Sequence, residues 1–160
     1  MTQVPADATV LGLYTTAQAG APLLEVPAVQ LEPGRGPIGD RYSRSVGTFS
    51  DKLQDSQDWE VTLIEIEEID RYNAAAGQSL PPDAFRRNVV TRGVRLNDLV
   101  GRRFRVGEAQ LEGMRLCEPC AYLAGLLGPG VVKAMAHRAG LRARIVSGAT
   151  VHAGDGVVTT

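Results

Sequence analysis

Cys117 and Cys120 stand two residues apart in the segment Leu116-Cys117-Glu118-Pro119-Cys120, and they are the only cysteines of the chain. A Cys-x-x-Cys pair that opens a helix after a strand is the arrangement of thioredoxin-like redox centres, but those sit in a βαβ setting that this chain's pattern lacks. Zinc needs about four ligands in a structural site, and the only other candidates, His137 and His152, stand at no ligand-like spacing. A third reading makes Cys120 a single working thiolate. Pro119 before it and a helical pattern after it put the sulfur at a helix start, where backbone N–H groups favour an anion and lower a thiol pKa. Arg115, on the end of the preceding strand, adds to that field. Burial as a small apolar side chain is the ordinary fate of a free cysteine, and it suits Cys117 better than Cys120.

The second cluster is Phe85-Arg86-Arg87-Asn88. Two arginines and an amide before an apolar strand can form an anion pocket, because the guanidinium fork matches phosphate and carboxylate oxygens. Spacing alone equally allows a solvated pair of arginines at a strand edge. Gly39-Asp40-Arg41-Tyr42 is a turn by composition. His137 shares a helical pattern with Lys133, Met135 and Arg138 and is expected to be a surface or structural histidine. Glu65, Glu67 and Glu68 are expected on the solvated face of one helix.

The elements that position these residues are mostly short strands. Thr9–Tyr14 and Ala28–Leu31 have strand character, punctuated by Pro22 and Pro27. Glu32–Gly39 is expected to be a loop with no ladder bonding, and Asp40–Asp58 a long polar surface loop. Val61, Leu63 and Ile64 suit a buried strand, and Ile66, Ile69 and Tyr72 then recur at helical spacing until Gly77 and Pro81-Pro82. Asn88–Thr91 is a strand and Leu96–Val100 a short helical turn. Phe104–Val106 and Ala109–Leu116 form a hairpin across Gly107-Glu108. After Cys120 a helix is expected to Leu127, broken at Gly128-Pro129-Gly130 and resumed over Val131–Ala139 with Gly140 as its C-cap. Leu141–Val146 alternates apolar and arginine residues as a half-buried strand, and Thr150–His152 begins a last strand. Strands with glycine turns and irregularly placed helices point to a mainly β domain, a barrel with inserted helices, spanning residues 1–160.

Composition narrows the function classes. The 160 residues, 44% hydrophobic and 22% charged, suit one globular domain, which at this length buries roughly 70% of its unfolded surface without a metal or disulfide staple. A net charge of −1 argues against a general nucleic-acid partner. No apolar run reaches the ~20 residues of a membrane span, and residues 1–13 do not look like a secretory signal, so a reducing cytoplasm is the expected location. Of the 17 basic residues only Lys52 and Lys133 are lysines. A Schiff-base mechanism therefore has two candidates, neither in a recognisable motif.

Taken together, the segments resemble the MOSC family, named for the C-terminal domain of molybdenum-cofactor sulfurases. The runs that carry the resemblance are Gly39–Tyr42 (GDRY), Val61–Glu67 (VTLIEIE), Phe85–Ala109, Leu111–Cys120 (LEGMRLCEPC), His137–Gly148 and Ala153–Val157. The resemblance implies a MOSC-type β-barrel related to the small barrel of pyruvate kinase. It also implies a cysteine, here Cys120, that carries sulfur as a persulfide or ligates molybdenum. In the related amidoxime-reducing enzymes the equivalent cysteine binds the metal of the pterin molybdenum cofactor (molybdopterin), and the Arg and Asn of Phe-Arg-x-Asn lie in the cofactor pocket. Arg86 and Asn88 match those positions, with Arg87, Arg41 and Arg115 as further candidates.

On this resemblance the expected function is sulfur transfer through a Cys120 persulfide, with Cys117 as a resolving thiol. The donor would be a separate cysteine desulfurase or another sulfur source, and the acceptor a protein or small molecule. The alternative is a non-catalytic module that binds or delivers molybdenum cofactor with Cys120 as metal ligand. The resemblance does not extend to the aminotransferase-like domain that holds pyridoxal phosphate in full sulfurases, so that cofactor is not expected on this chain.

Overall fold

The computed structural model describes residues 8–45, 47 and 58–159. Its strands are β1 (Thr9–Thr15), β2 (Leu24–Val26), β3 (Ala28–Glu32), β4 (Gly36–Pro37), β5 (Val61–Glu65), β6 (Val89–Arg92), β7 (Arg103–Val106), β8 (Ala109–Leu116), β9 (Leu141–Ser147), β10 (Ala149–His152) and β11 (Val157–Thr159). Its α-helices are α1 (Ile66–Ala76), α2 (Ala121–Leu127) and α3 (Gly130–Ala134). The protein is mainly β, as expected.

Eight strands form one sheet in the order β11-β7-β8-β9-β5-β6-β1-β2, antiparallel except for the β5–β6 pair, whose crossover contains α1. Its margins meet. Val10 N–H donates to the Asp155 carbonyl at 2.8 Å, Gly154 N–H to the Val10 carbonyl at 2.8 Å, and Val157 N–H to the Ala8 carbonyl at 2.9 Å. An antiparallel bridge between Thr9 and Gly156 completes the seam, so no long edge is left unpaired there. A smaller sheet, β10-β3-β4, packs Val29, Leu31 and Val151 against the same core.

Two cores lie on opposite faces of the large sheet. Leu13, Leu63 and Val89 belong to the inner core with Phe104, Leu111 and Leu141. Their chain neighbours Tyr14, Ile64 and Val90 face the other way, against Ile66, Ile69 and Tyr72, Phe85, Leu123, Val131 and Met135. Successive strand residues point to opposite faces, so strands buried on both sides carry continuous apolar runs. That is why the adjacent Leu63 and Ile64 of β5 are both fully buried. Tyr72 and Phe85 meet edge to face with centroids 5.7 Å apart, locking α1 to the turn ahead of β6.

Several expectations need correction. Glu32–Gly39 does ladder: β4 pairs with β3, and Ile38 N–H donates to the Gln30 carbonyl at 2.9 Å, because an antiparallel ladder needs a donor only at alternate residues. Asp40 and Arg41 are buried rather than on a surface loop. The rest of Asp40–Asp58 lies largely outside the described residues. The helix expected over Val131–Ala139 stops at Ala134, since His137 takes a left-handed φ of 62° that no α-helix accommodates. The strand begun at Thr150 is followed by a turn at Ala153–Gly156 and then by β11, which closes the barrel.

Glu65 is not on the solvated face of α1. It is the half-buried last residue of β5, and burial first, then Glu68 and Glu67, push its carboxyl up from 4.5 to about 7 against the opposing pull of the Leu96 N–H and Arg95. A raised folded-state pKa means the folded chain holds an extra proton between those values. The associated stability is fully present below pH 4.5 and is lost as pH rises through 7. The shift corresponds to ~3 kcal/mol at most, lessened by solvent at the half-buried group. Glu65→Gln is therefore expected to be more stable than the parent at pH 8, by about 1–3 kcal/mol, and equal to it near pH 4. Urea unfolding at the two pH values measures both, and equal offsets would contradict the assignment.

Candidate functional site

Residues from several strand ends converge on one cavity of about 430 Å³. Cys117 arrives from the end of β8, Arg86 and Arg87 from the residues before β6, Arg142 from β9, and Cys120 from the start of α2. Arg41, Tyr42, Thr62, Arg115, Glu118, Pro119, Tyr122 and Leu123 complete the wall. A volume of this size is that of a small-molecule site.

Among the described residues the lining carries five arginines and one acidic side chain, Glu118. Arg41 is buried and ion-paired with the fully buried Asp40 at 3.1 Å, and its other fork nitrogen donates to the Arg86 carbonyl at 3.4 Å. Asp40 is satisfied in turn by the Thr16 and Tyr42 backbone N–H groups. Arg115 pairs with Asp58. Arg87, buried rather than solvated, donates to the Ala139 carbonyl at 3.0 Å and the Cys117 carbonyl at 3.2 Å. It therefore ties the cysteine loop to the turn before β9 as well as facing the cavity.

Arg86 is the least satisfied of the five. Nη1 donates to the Ala21 carbonyl at 2.9 Å, but Nη2 is buried without a hydrogen-bond partner among the described residues. Burial first, then the neighbouring Arg41, push its pKa below the ordinary value. The residue also sits at a left-handed φ of 62°, and its guanidinium lies 5.9 Å from the Tyr122 ring. A buried donor without a partner costs roughly 1–3 kcal/mol, and strain of this kind concentrates at functional sites. An anion in the cavity would meet the charge of Arg86 and of its neighbours together.

Arg142 adds to that field, and the sequence motifs did not single it out. A register shift between Gly113 and Arg115 sets Arg115 directly opposite Arg142 across the β8–β9 pair. Like charges directly opposite one another are destabilising, which is consistent with a counter-ion arriving from outside. Tyr42, Thr62, Glu118 and Tyr122 were likewise missed.

Asn88 does not line the cavity. Its Oδ1 accepts from the Thr62 backbone N–H and hydroxyl, both at 3.2 Å, and its Nδ2 donates to the Tyr14 carbonyl at 3.2 Å. The amide pins β1, β5 and β6 together directly behind Thr62, so its contribution is to fix the wall. Cys120 is the N-cap of α2 and half-buried, whereas Cys117 is 1% exposed, and both thiols are free. The helix that Cys120 caps, α2, has only seven residues, and the cationic groups sharing the cavity with the thiol are the arginines. Lys133 is not among the lining residues, and Lys52 lies outside the described residues.

Arg86→Gly separates stability from binding. Glycine accepts the left-handed backbone and removes the unsatisfied donor, so this variant should fold at least about 1 kcal/mol more stably than Arg86→Ala. Both should lose roughly tenfold in affinity for inorganic phosphate. Thermal unfolding with and without phosphate reads both quantities, and undiminished protection by phosphate would remove Arg86 from the site.

Among the described residues no group of three or more His, Cys, Asp or Glu side chains is placed to hold a metal ion, and no helix is long and apolar enough to cross a membrane. Three crystal structures share the fold. The YuaD protein of Bacillus subtilis is 18% identical over 94% of this chain and 93% of that one, with a TM-score of 0.80. YiiM of Geobacillus stearothermophilus is 15% identical over 96% and 75%, with a TM-score of 0.74. YiiM of Escherichia coli is 17% identical over 100% and 70%, with a TM-score of 0.66. At these identities the likeness shows the fold alone. A search of curated proteins found no match. The family model for the MOSC domain matches residues 50–158, a span that contains both cysteines and every lining arginine except Arg41, and the chain therefore belongs to the MOSC domain family.

Proposed function

We propose that this protein is a sulfur carrier in which Cys120 accepts a sulfur atom as a persulfide inside the arginine-lined cavity. The observation that carries the reading is the juxtaposition of a half-buried thiol with Arg86, whose buried Nη2 has no partner among the described residues. The Cys120 thiolate attacks the outer sulfur of a donor persulfide, such as that of a cysteine desulfurase. The donor S–S bond breaks, a new one forms on Cys120, and the donor leaves as a thiolate, with no net oxidation. The arginines stabilise the anionic persulfide. Delivery reverses the step, with an acceptor nucleophile taking the outer sulfur. Cys117 offers a second exit: its thiolate attacks the inner sulfur, hydrosulfide leaves, and the resulting Cys117–Cys120 disulfide is reopened by a cellular dithiol. A reducing cytoplasm suits this cycle.

A second reading rests on the same unfilled donor. The family is associated with molybdenum-cofactor proteins. The cavity's size, its guanidinium forks and Cys120 suit an anionic pterin cofactor, which the arginines would hold by its phosphate and Cys120 by its metal. When bound, the cofactor would supply two-electron redox chemistry at molybdenum.

The test is to incubate the purified chain with a cysteine desulfurase and cysteine and weigh it intact. A gain of one sulfur, about 32 Da, mapped to Cys120 and reversed by a thiol reductant is expected. A chain that gains no mass while the desulfurase turns over is not a carrier for that donor, and the cofactor-binding reading takes precedence.

A further inference from the structure

The one acidic side chain on the cavity wall is held by a residue that does not line the cavity. Glu118 Oε1 accepts the His137 backbone N–H at 2.6 Å, and Oε2 lies 2.6 Å from His137 Nδ1. Asn97 Nδ2 donates to the His137 carbonyl at 2.8 Å, so His137 is gripped from both sides. It is one of the few residues other than glycine with a positive φ, 62°, a conformation that points its N–H and ring at the same carboxylate. Two chain segments 19 residues apart are thereby clasped beside both cysteines.

The clasp is exposed. The Glu118 and His137 side chains are 42% and 77% accessible, and exposed pairs of this kind contribute little to stability. It can therefore open at small cost. Once released, a carboxylate attached next to Cys117, and two residues before the helix-capping Cys120, shares the cavity wall with Arg87, Arg115 and Arg142. On that partly desolvated wall the attraction between a carboxylate and a guanidinium is several-fold larger than in bulk water. The released carboxylate would then occupy the positive field that an external anion uses.

We propose that His137 is a positioning residue that holds the Glu118 carboxylate out of the arginine field, and that released Glu118 becomes a built-in competitor for the anion the cavity takes. This rests on the reading of the cavity as an anion site. Glu65, Glu68, Arg95 and Arg138 line a separate cleft with His137, so the clasp also joins the cysteine loop to a second cluster of charges.

The charge of an alkylating reagent tests this without any need for sulfur transfer. Cys120 in the full chain is alkylated with anionic iodoacetate and, separately, neutral iodoacetamide, and the two rates at that cysteine are read by peptide mass. Their ratio reports the potential at the sulfur, and changes in access or thiol ionisation cancel from it. His137→Ala is expected to lower the ratio by roughly three- to tenfold. Glu118→Gln should hold it at or above the parent value, and the double variant should match Glu118→Gln. Should His137→Ala fold poorly, His137→Gly removes the ring at a φ that glycine accepts, and the same drop is expected. An unchanged ratio in both His137 variants, or a double variant as low as the single one, overturns the proposal. A parent ratio no higher than that of free cysteine overturns the anion-site reading beneath it, whereas failed sulfur loading with a responsive ratio removes only the carrier reading.

Discussion

Cys120→Ser is expected to abolish sulfur loading entirely while lowering stability by no more than about 1 kcal/mol, the sulfur being only partly buried against the outer core. The half-buried thiol sits at an N-cap, a position where serine is as favourable as any residue, so the change costs the fold nothing obvious. Cys117 needs different treatment. It is 1% exposed, its N–H is bonded to the Gly140 carbonyl at 2.8 Å and its carbonyl to Arg87, and a serine hydroxyl at that depth risks going unpaired. Cys117→Ala avoids that cost. It should still load sulfur on Cys120, and the adduct should outlast the parent's because no neighbouring thiol displaces hydrosulfide. Accessibility gives the order of reactivity: Cys120 should be alkylated well before Cys117 at neutral pH. Faster modification of Cys117, or loading that survives Cys120→Ser, would reverse the assignment of carrier and resolving thiol.

Much of this arrangement is legible from local pattern, and the rest is lost for identifiable reasons. The run Leu111–Cys120 shows its strand by alternation and its helix start by Pro119, so the Cys120 junction follows from nearest-neighbour chemistry. The hairpin at Gly107-Glu108 and the break at Gly128-Pro129-Gly130 are legible on the same grounds. Arg142 is different, because its place on the cavity wall depends on the β8–β9 register, which a shift between Gly113 and Arg115 resets. Nothing within either strand announces that partner. Asp40 and Arg41 have the composition of a surface turn, yet they are buried because each neutralises the other and Thr16 supplies the remaining donor. Asn88 shows what the resemblance does not convey: its side chain bonds Thr62 and Tyr14 and is not among the residues lining the cavity. The clasp of Glu118 by His137 has no signature at all, since it depends on a left-handed residue that interrupts an otherwise helical pattern. The closing strand β11 was missed because three residues after a Gly-Asp-Gly turn have too short a pattern to register.

Gly140→Ala is expected to be among the most damaging single substitutions in the chain, for reasons that join the fold to the site. Gly140 has a φ of 119°, which an L side chain adopts only under strain, and a Cβ there would fall far inside van der Waals contact distance of the Leu63 carbonyl oxygen. That oxygen belongs to the central strand β5, which is paired on both sides and has no freedom to retreat. The combined strain and overpacking should cost on the order of 4 kcal/mol, a large share of the 5–15 kcal/mol that stabilises an ordinary domain. The yielding partner is therefore the turn. It carries the Gly140 carbonyl that receives the Cys117 N–H, the Ala139 carbonyl that receives Arg87, and His137, which holds Glu118. Displacing it should loosen the cysteine loop before the barrel melts. Urea unfolding should show the stability loss, and Cys117 should become alkylatable at urea concentrations well below the global midpoint. If Cys117 instead stays protected until the whole chain unfolds, the turn is not what holds the cysteine loop, and Arg87 must do so from the β6 side alone.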